Sequence, residues 1–197
     1  MNWTLVVLGV LLIGCQSSPE TSFRNLNKAF ISWHFKYHPI ESTRYGMKDN
    51  YGNFREISIS GREEYSADIS RFLIELSQID ATKISPEERI DYNILFSQLE
   101  QMKLIMDIIK PWEWNPLWIL DEISTGFYIL SEREQIDMGD RIEAIQSQLV
   151  KLPLLLSNSK EILTTYSMLH RHYSLEKIEK LIRLLQQLPL KLNSDNM

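Results

Sequence analysis

Apolar residues recur along this chain at intervals of three and four, the spacing that lines one face of an α-helix. Phe23, Leu26, Phe30, Trp33 and Tyr37 form the first such stripe. His38 precedes Pro39, and the residue before a proline is pushed out of the α region, so the helix is expected to stop there. A short turn or helix through Ile40–Tyr45 should close on Gly46, a natural C′ glycine. Lys48–Ile59 reads as a loop, and Ser60 with Glu63 resembles a capping box that opens the next helix. Tyr65, Ile69, Phe72, Leu76 and Ile79 mark its apolar stripe.

Ser85-Pro86-Glu87-Glu88 combines an N-cap serine, a proline at the first helical position and acids in the first turn. The helix it opens is expected to reach Ile109. Ile90, Ile94, Leu95, Leu99, Met102, Ile105, Met106 and Ile109 spread over a wide arc of it, which predicts a central position. Pro111-Trp112-Glu113-Trp114 breaks the pattern, and Asn115-Pro116 restarts a helix with Leu117, Trp118, Leu120 and Ile123. Met138, Ile142, Ile145, Leu149, Leu152 and Leu156 make a further stripe, with Pro153 expected to kink or end it. Leu175, Ile178, Ile182 and Leu185 predict a last helix that stops near Leu188-Pro189, leaving 191–197 as a frayed tail. The pattern contains no credible strand. The expected fold is all-α, an irregular helical bundle of about six helices.

The N-terminus carries a different signal. Leu5–Ile13 is an apolar run too short to span a bilayer, which takes about 20 residues, but of the length of a secretory signal core. It ends in Leu12-Ile13-Gly14-Cys15, which looks like a bacterial lipobox: a branched residue, small residues, then the cysteine that becomes acylated and N-terminal. The n-region lacks Lys and Arg, which departs from the usual pattern. The expected organisation is a signal peptide over 1–14, a lipidated Cys15 with a polar tether over 15–22, a helical domain over 23–190 and the tail. Several acyl chains anchor stably where one does so marginally. Gln16, rather than aspartate, follows the cysteine; by analogy with Gram-negative sorting this directs the chain to the outer membrane, facing the periplasm.

The chain has 197 residues, a net charge of −5 and one cysteine, so an internal disulfide is excluded and the lone thiol is assigned to the lipid. A pI near 5.4 without a basic run argues against nucleic acid as a partner. Expected partners are the membrane, through acylated Cys15, and a protein or a second copy on an exposed apolar face.

An ordered series of segments resembles the N-terminal part of the bacterial domain-of-unknown-function 885 family. It runs from Phe30–Pro39 and Tyr45-Gly46 through Ile84-Ser85-Pro86-Glu87-Glu88-Arg89-Ile90-Asp91-Tyr92. Pro111-Trp112-Glu113, Asn115-Pro116-Leu117 and Ser124-Thr125-Gly126-Phe127-Tyr128 follow, then Leu152-Pro153 and Leu188-Pro189. The series covers about 23–190. The family is zincin-like, often secreted or lipidated, with a His-Glu-x-x-His-like motif in a C-terminal half for which this chain has no counterpart. The resemblance therefore implies a truncated N-terminal portion with no catalytic residue and no cofactor of its own. Zinc would enter only if a separately encoded half supplied the metal-binding motif, giving a metal-dependent peptidase by complementation.

Within the chain, His34 and His38 stand at the i,i+4 spacing of a zinc pair. Phe35 occupies the place of the motif's glutamate and no third ligand is suggested nearby, so ordinary histidines are the better reading. His170 and His172 would face apart on a helix, and a polar connection between helices is expected there. Trp112, Trp114, Trp118 and Tyr128 form a candidate aromatic cluster, read as a loop packed on the central helix in preference to a substrate groove. Glu87, Glu88 and Asp91 are explained by the helix dipole rather than by acid–base catalysis.

Overall fold

The structure is a computed structural model that describes residues 18–194. Cys15 and the signal segment lie outside the described residues. Seven α-helices follow in order: α1 (Pro19–Tyr37), α2 (Pro39–Arg44), α3 (Ile59–Ser77), α4 (Pro86–Leu104), α5 (Leu117–Glu132), α6 (Met138–Ile162) and α7 (Met168–Ser194). There is no strand among the described residues, and none of their helices is long and apolar enough to cross a membrane. The all-α irregular bundle expected from the apolar spacing is what forms.

Local chemistry explains the boundaries. Ser18 caps α1 by accepting from Thr21 N–H at 3.2 Å, so the helix starts inside the stretch read as tether. α2 ends in a Schellman arrangement: Met47 N–H reaches Ser42 O at 3.1 Å and Gly46 N–H reaches Thr43 O at 3.0 Å. Gly46 sits at φ 79°, the left-handed region that favours glycine. Ser58, not Ser60, caps α3, through Gly61 N–H at 3.1 Å. Ser85 caps α4 as its motif predicts, through Glu88 N–H at 3.2 Å. α4 passes into a π-turn at Ile105–Ile109, and Lys110 turns the chain at φ 44°.

Two apolar clusters hold the bundle. Phe23, Leu26, Phe30, Trp33 and Tyr37 of α1 pack on Ile69, Phe72 and Leu76 of α3 and Leu95 and Leu99 of α4. Ile57, Trp112, the inner face of α5 (Ile123, Phe127, Leu130), and residues of α6 and α7 form the second. Polar groups tie helix ends into it. Arg141, 2% exposed, donates to Leu130 O at 2.9 Å and Ser131 O at 2.7 Å, so its charge meets the negative end of α5. Arg133 does the same for α2, donating to Thr43 O at 2.6 Å.

Four expectations are corrected. α4 is not central: only Leu95 and Leu99 are buried, while Ile90 and Ile94 are 62% and 59% exposed. Its apolar residues line two opposite faces, and α1 and α3 cover one of them. On α6 the buried line is Arg141, Ala144, Ile145, Gln148 and Leu155, with Leu149 and Leu156 outward. Its polar members are paired or enclosed, which the apolar count could not anticipate. Pro153 does not end α6, and α7 runs past Pro189 to Ser194. A proline removes one donor, and at Pro153 the carbonyl left over belongs to Leu149, on the outward side of the helix. Finally, α7 buries Ser174, Leu181 and Leu188, while Leu175, Ile178 and Ile182 face solvent.

Candidate functional site

A polar cluster lies between Tyr65, packed on the first apolar cluster, and Trp118, packed on the second. The helix break at Pro39 creates it. His34 lies in the last turn of α1 and His38 caps its end, their rings stacked at 4.3 Å, and Glu41 follows in the first turn of α2. The irregular segment before α3 brings Arg55, α3 brings Tyr65, and α5 brings Trp118, Asp121 and Glu122. Together with Ile40, Arg44 and Thr125, most of these line an open cleft of about 380 Å³.

The hydrogen bonds fix the chemistry of His38. A guanidinium is a donor only, so Arg55, at 2.8 Å, obliges Nδ1 of His38 to accept. Nε2 therefore carries the hydrogen of the neutral ring and donates to the Tyr65 hydroxyl at 2.9 Å. Burial, then the Arg55 charge and His34, pull the His38 pKa from 6.5 down to about 2, so the ring is neutral at any physiological pH. Burial likewise raises Tyr65 to about 12. Glu122 anchors the segment from the other side, accepting from Arg55 N–H at 3.2 Å and pairing with its guanidinium at 3.7 Å. The guanidinium also lies over the Trp118 ring, 5.4 Å from its centre. Asp121 is paired with Lys177 of α7.

His34, His38 and Glu41 place potential ligand atoms within 4.8 Å of one another, close enough to share one cation. Nε2 of His34 lies 3.0 Å from Glu41, and its Nδ1 is buried without a partner. One member of the trio is already engaged. The one lone pair of neutral His38 is taken by Arg55, a fixed positive charge where a cation would sit. Sequence reasoning names Tyr65 only as a member of an apolar stripe, and does not single out Glu41, Arg55, Asp121 or Glu122. The signal for Glu41 was its place three residues after His38, but that reads as one face only once the helix is known to restart at Pro39.

The remaining candidates are dispersed. Trp112 meets Trp118 edge-on at 5.9 Å, but Trp114 donates to Ile109 O at 2.8 Å and packs on His170, and Tyr128 stands apart, 58% exposed beside Lys177 and Lys180. His170 and His172 lie in the first turns of α7, not in a connection; His172 pairs with Glu176 and His170 with Ser167. Glu88 receives Arg24 of α1, and Glu87 and Asp91 are exposed on α4.

No family model matches this chain, and no curated protein does. Its fold is similar to the solved structure of a candidate lipoprotein of unknown function from Shewanella oneidensis, with a TM-score of 0.74 and 17% sequence identity. The match covers 87% of this chain and 34% of that one, so the chain spans about a third of the length of its structural neighbour. At that identity the likeness is one of fold.

Proposed function

We propose that this chain is a lipid-anchored, non-catalytic helical module of the bacterial cell envelope, corresponding to the N-terminal portion of a larger protein of the domain-of-unknown-function 885 kind. The observation that carries the reading is the fold match itself: a fold that fills 87% of this chain fills only 34% of a chain described as a candidate lipoprotein. Leu12-Ile13-Gly14-Cys15 supplies the anchor in this sequence, and Gln16 directs it to the outer membrane, facing the periplasm.

The cleft supports the non-catalytic part. A general base needs an available lone pair, and that of His38 is held by Arg55. Glu122 is engaged by the same arginine and Asp121 by Lys177. With His38, Glu122 and Asp121 so engaged, the cleft reads as a joint between α1, α3 and α5 rather than a place of turnover.

A second reading rests on the same coverage. The neighbour's remaining length leaves room for a separately encoded metal-binding half that would complete a peptidase with this chain. Fractionation of cells expressing the wild type and Cys15→Ser tests the first reading. Wild type in the outer-membrane fraction and the variant released support it; a Cys15→Ser chain that stays in the membrane contradicts it. Peptidase activity that appears only when a His-Glu-x-x-His protein is added would favour the second.

A further inference from the structure

α4 carries an outward seam distinct from the polar cleft. Ile90, Ile94, Ser97, Gln101 and Leu104 succeed one another at intervals of four, three, four and three, the spacing of the a and d positions in paired helices. All five are exposed, Ile90 by 62%, Ile94 by 59% and Leu104 by 46%. The π-turn that ends the seam adds Ile108, 72% exposed, and π-turns are frequent at functional sites. A run this regular has no role in the monomer's core, which α4 meets with Leu95 and Leu99 on its other side. From Ile90 to Leu104 the seam is roughly 21 Å long, four turns of helix.

The flanks say what fits. Asp91 and Gln98 border the seam on one side, Asn93 and Glu100 on the other, and Glu87 stands at its N-terminal end. Glu87, Asp91 and Glu100 have no ion-pair partner among the described residues. The helix's own cations point elsewhere: Lys103 reaches Ser70 at 3.1 Å and Asp107 at 2.8 Å, and Arg89 is spent on the carbonyls of Ala81, Thr82 and Ile84. A second copy would add three more acids, and no cation, to the same borders. We propose that the Ile90–Leu104 seam of α4 is the docking site for an amphipathic helix whose apolar stripe is bordered by Lys or Arg. Ser97 and Gln101, the polar members, set the register of the pair. This names the partner of the anchored module and rests on that reading; lipidation of Cys15 is measured separately, so a failed seam leaves the anchor standing.

The test uses the full chain in phosphatidylcholine nanodiscs, with empty discs as blank, and a labelled 18-residue peptide with Leu at a and d and Lys at e and g. Fluorescence anisotropy should show saturable binding, weakened about tenfold or more by Ile94→Lys, by Ile94→Ser and by Asp91→Lys with Glu100→Lys. Ile182→Lys, on the outer face of α7, should leave it unchanged. Because Ile94 is exposed, its variants should keep the wild-type melting temperature. No saturable binding, equal binding of a peptide with Glu at e and g, or indifference to Ile94→Lys would overturn the proposal. So would a dimer of this chain that Ile94→Lys disperses, which would give the seam to a second copy.

Discussion

The guanidinium of Arg55 donates to Nδ1 of His38 at 2.8 Å, and this bond decides which nitrogen of the imidazole carries the hydrogen. It also makes a histidine that refuses a proton part of the architecture. Burial disfavours the charged form of the ring most, and Arg55 and His34 beside it disfavour it further.

The consequence is a defined acid sensitivity. In the unfolded chain His38 takes up a proton near pH 6.5; in the folded chain it does so only at about 2. The folded pKa is depressed, so the stability is fully present above 6.5 and is lost as pH falls through the window from 6.5 toward 2. The slope is about 1.4 kcal/mol per pH unit from this group. Urea unfolding at pH 7, 6 and 5 should show it. His38→Gln, which can still accept from Arg55 and donate to Tyr65, should lose that increment of acid sensitivity. Equal slopes in the two proteins would contradict the assignment.

Zinc binding gives a counterintuitive test of the same bond. Arg55→Ala frees Nδ1 of His38 beside His34 and Glu41, so calorimetry should show zinc affinity rising by about tenfold or more over wild type. Tight binding of one zinc by the wild type, reduced in Arg55→Ala, would show that the arginine helps a metal site instead of blocking it.

Packing around Gly126 supplies a third prediction. A Cβ there would lie 2.8 Å from Nε2 of Gln148 and 2.8 Å from Cδ1 of Ile40, so Gly126→Ala should destabilise by about 1–3 kcal/mol. Gln148 is fully buried with neither end of its amide bonded to protein, so Gln148→Leu should stabilise by about 1 kcal/mol or more. Denaturation midpoints decide both, and a neutral Gly126→Ala would mean that the ends of the Gln148 and Ile40 side chains move aside easily.

The fold was legible because its signals are local. The Ser85-Pro86 start, the Pro39 break and the Gly46 stop each act through their own backbone and need no partner. What was not legible depends on which face a neighbour covers. Ile94 and Leu95 are equally apolar, yet one is outward and the other 3% exposed, because α1 and α3 approach from one side only. Arg141 and Gln148 are polar and fall outside the apolar stripe of α6, yet both are buried, the first because the end of α5 supplies its acceptors. The polar cleft was hidden for the same reason: His38, Arg55, Tyr65 and Glu122 come from four separate segments, and only the packed bundle brings them within bonding distance.

The central claim, a helical module held at the envelope by its lipidated cysteine, is tested most directly by the mass of the mature N-terminus. The chain should be purified from membranes of expressing cells, and its N-terminal peptide analysed by mass spectrometry. The account predicts loss of residues 1–14 and a peptide beginning at Cys15 that carries a thioether-linked diacylglycerol. A peptide that retains residues 1–14, or one with a free Cys15 thiol, would contradict it.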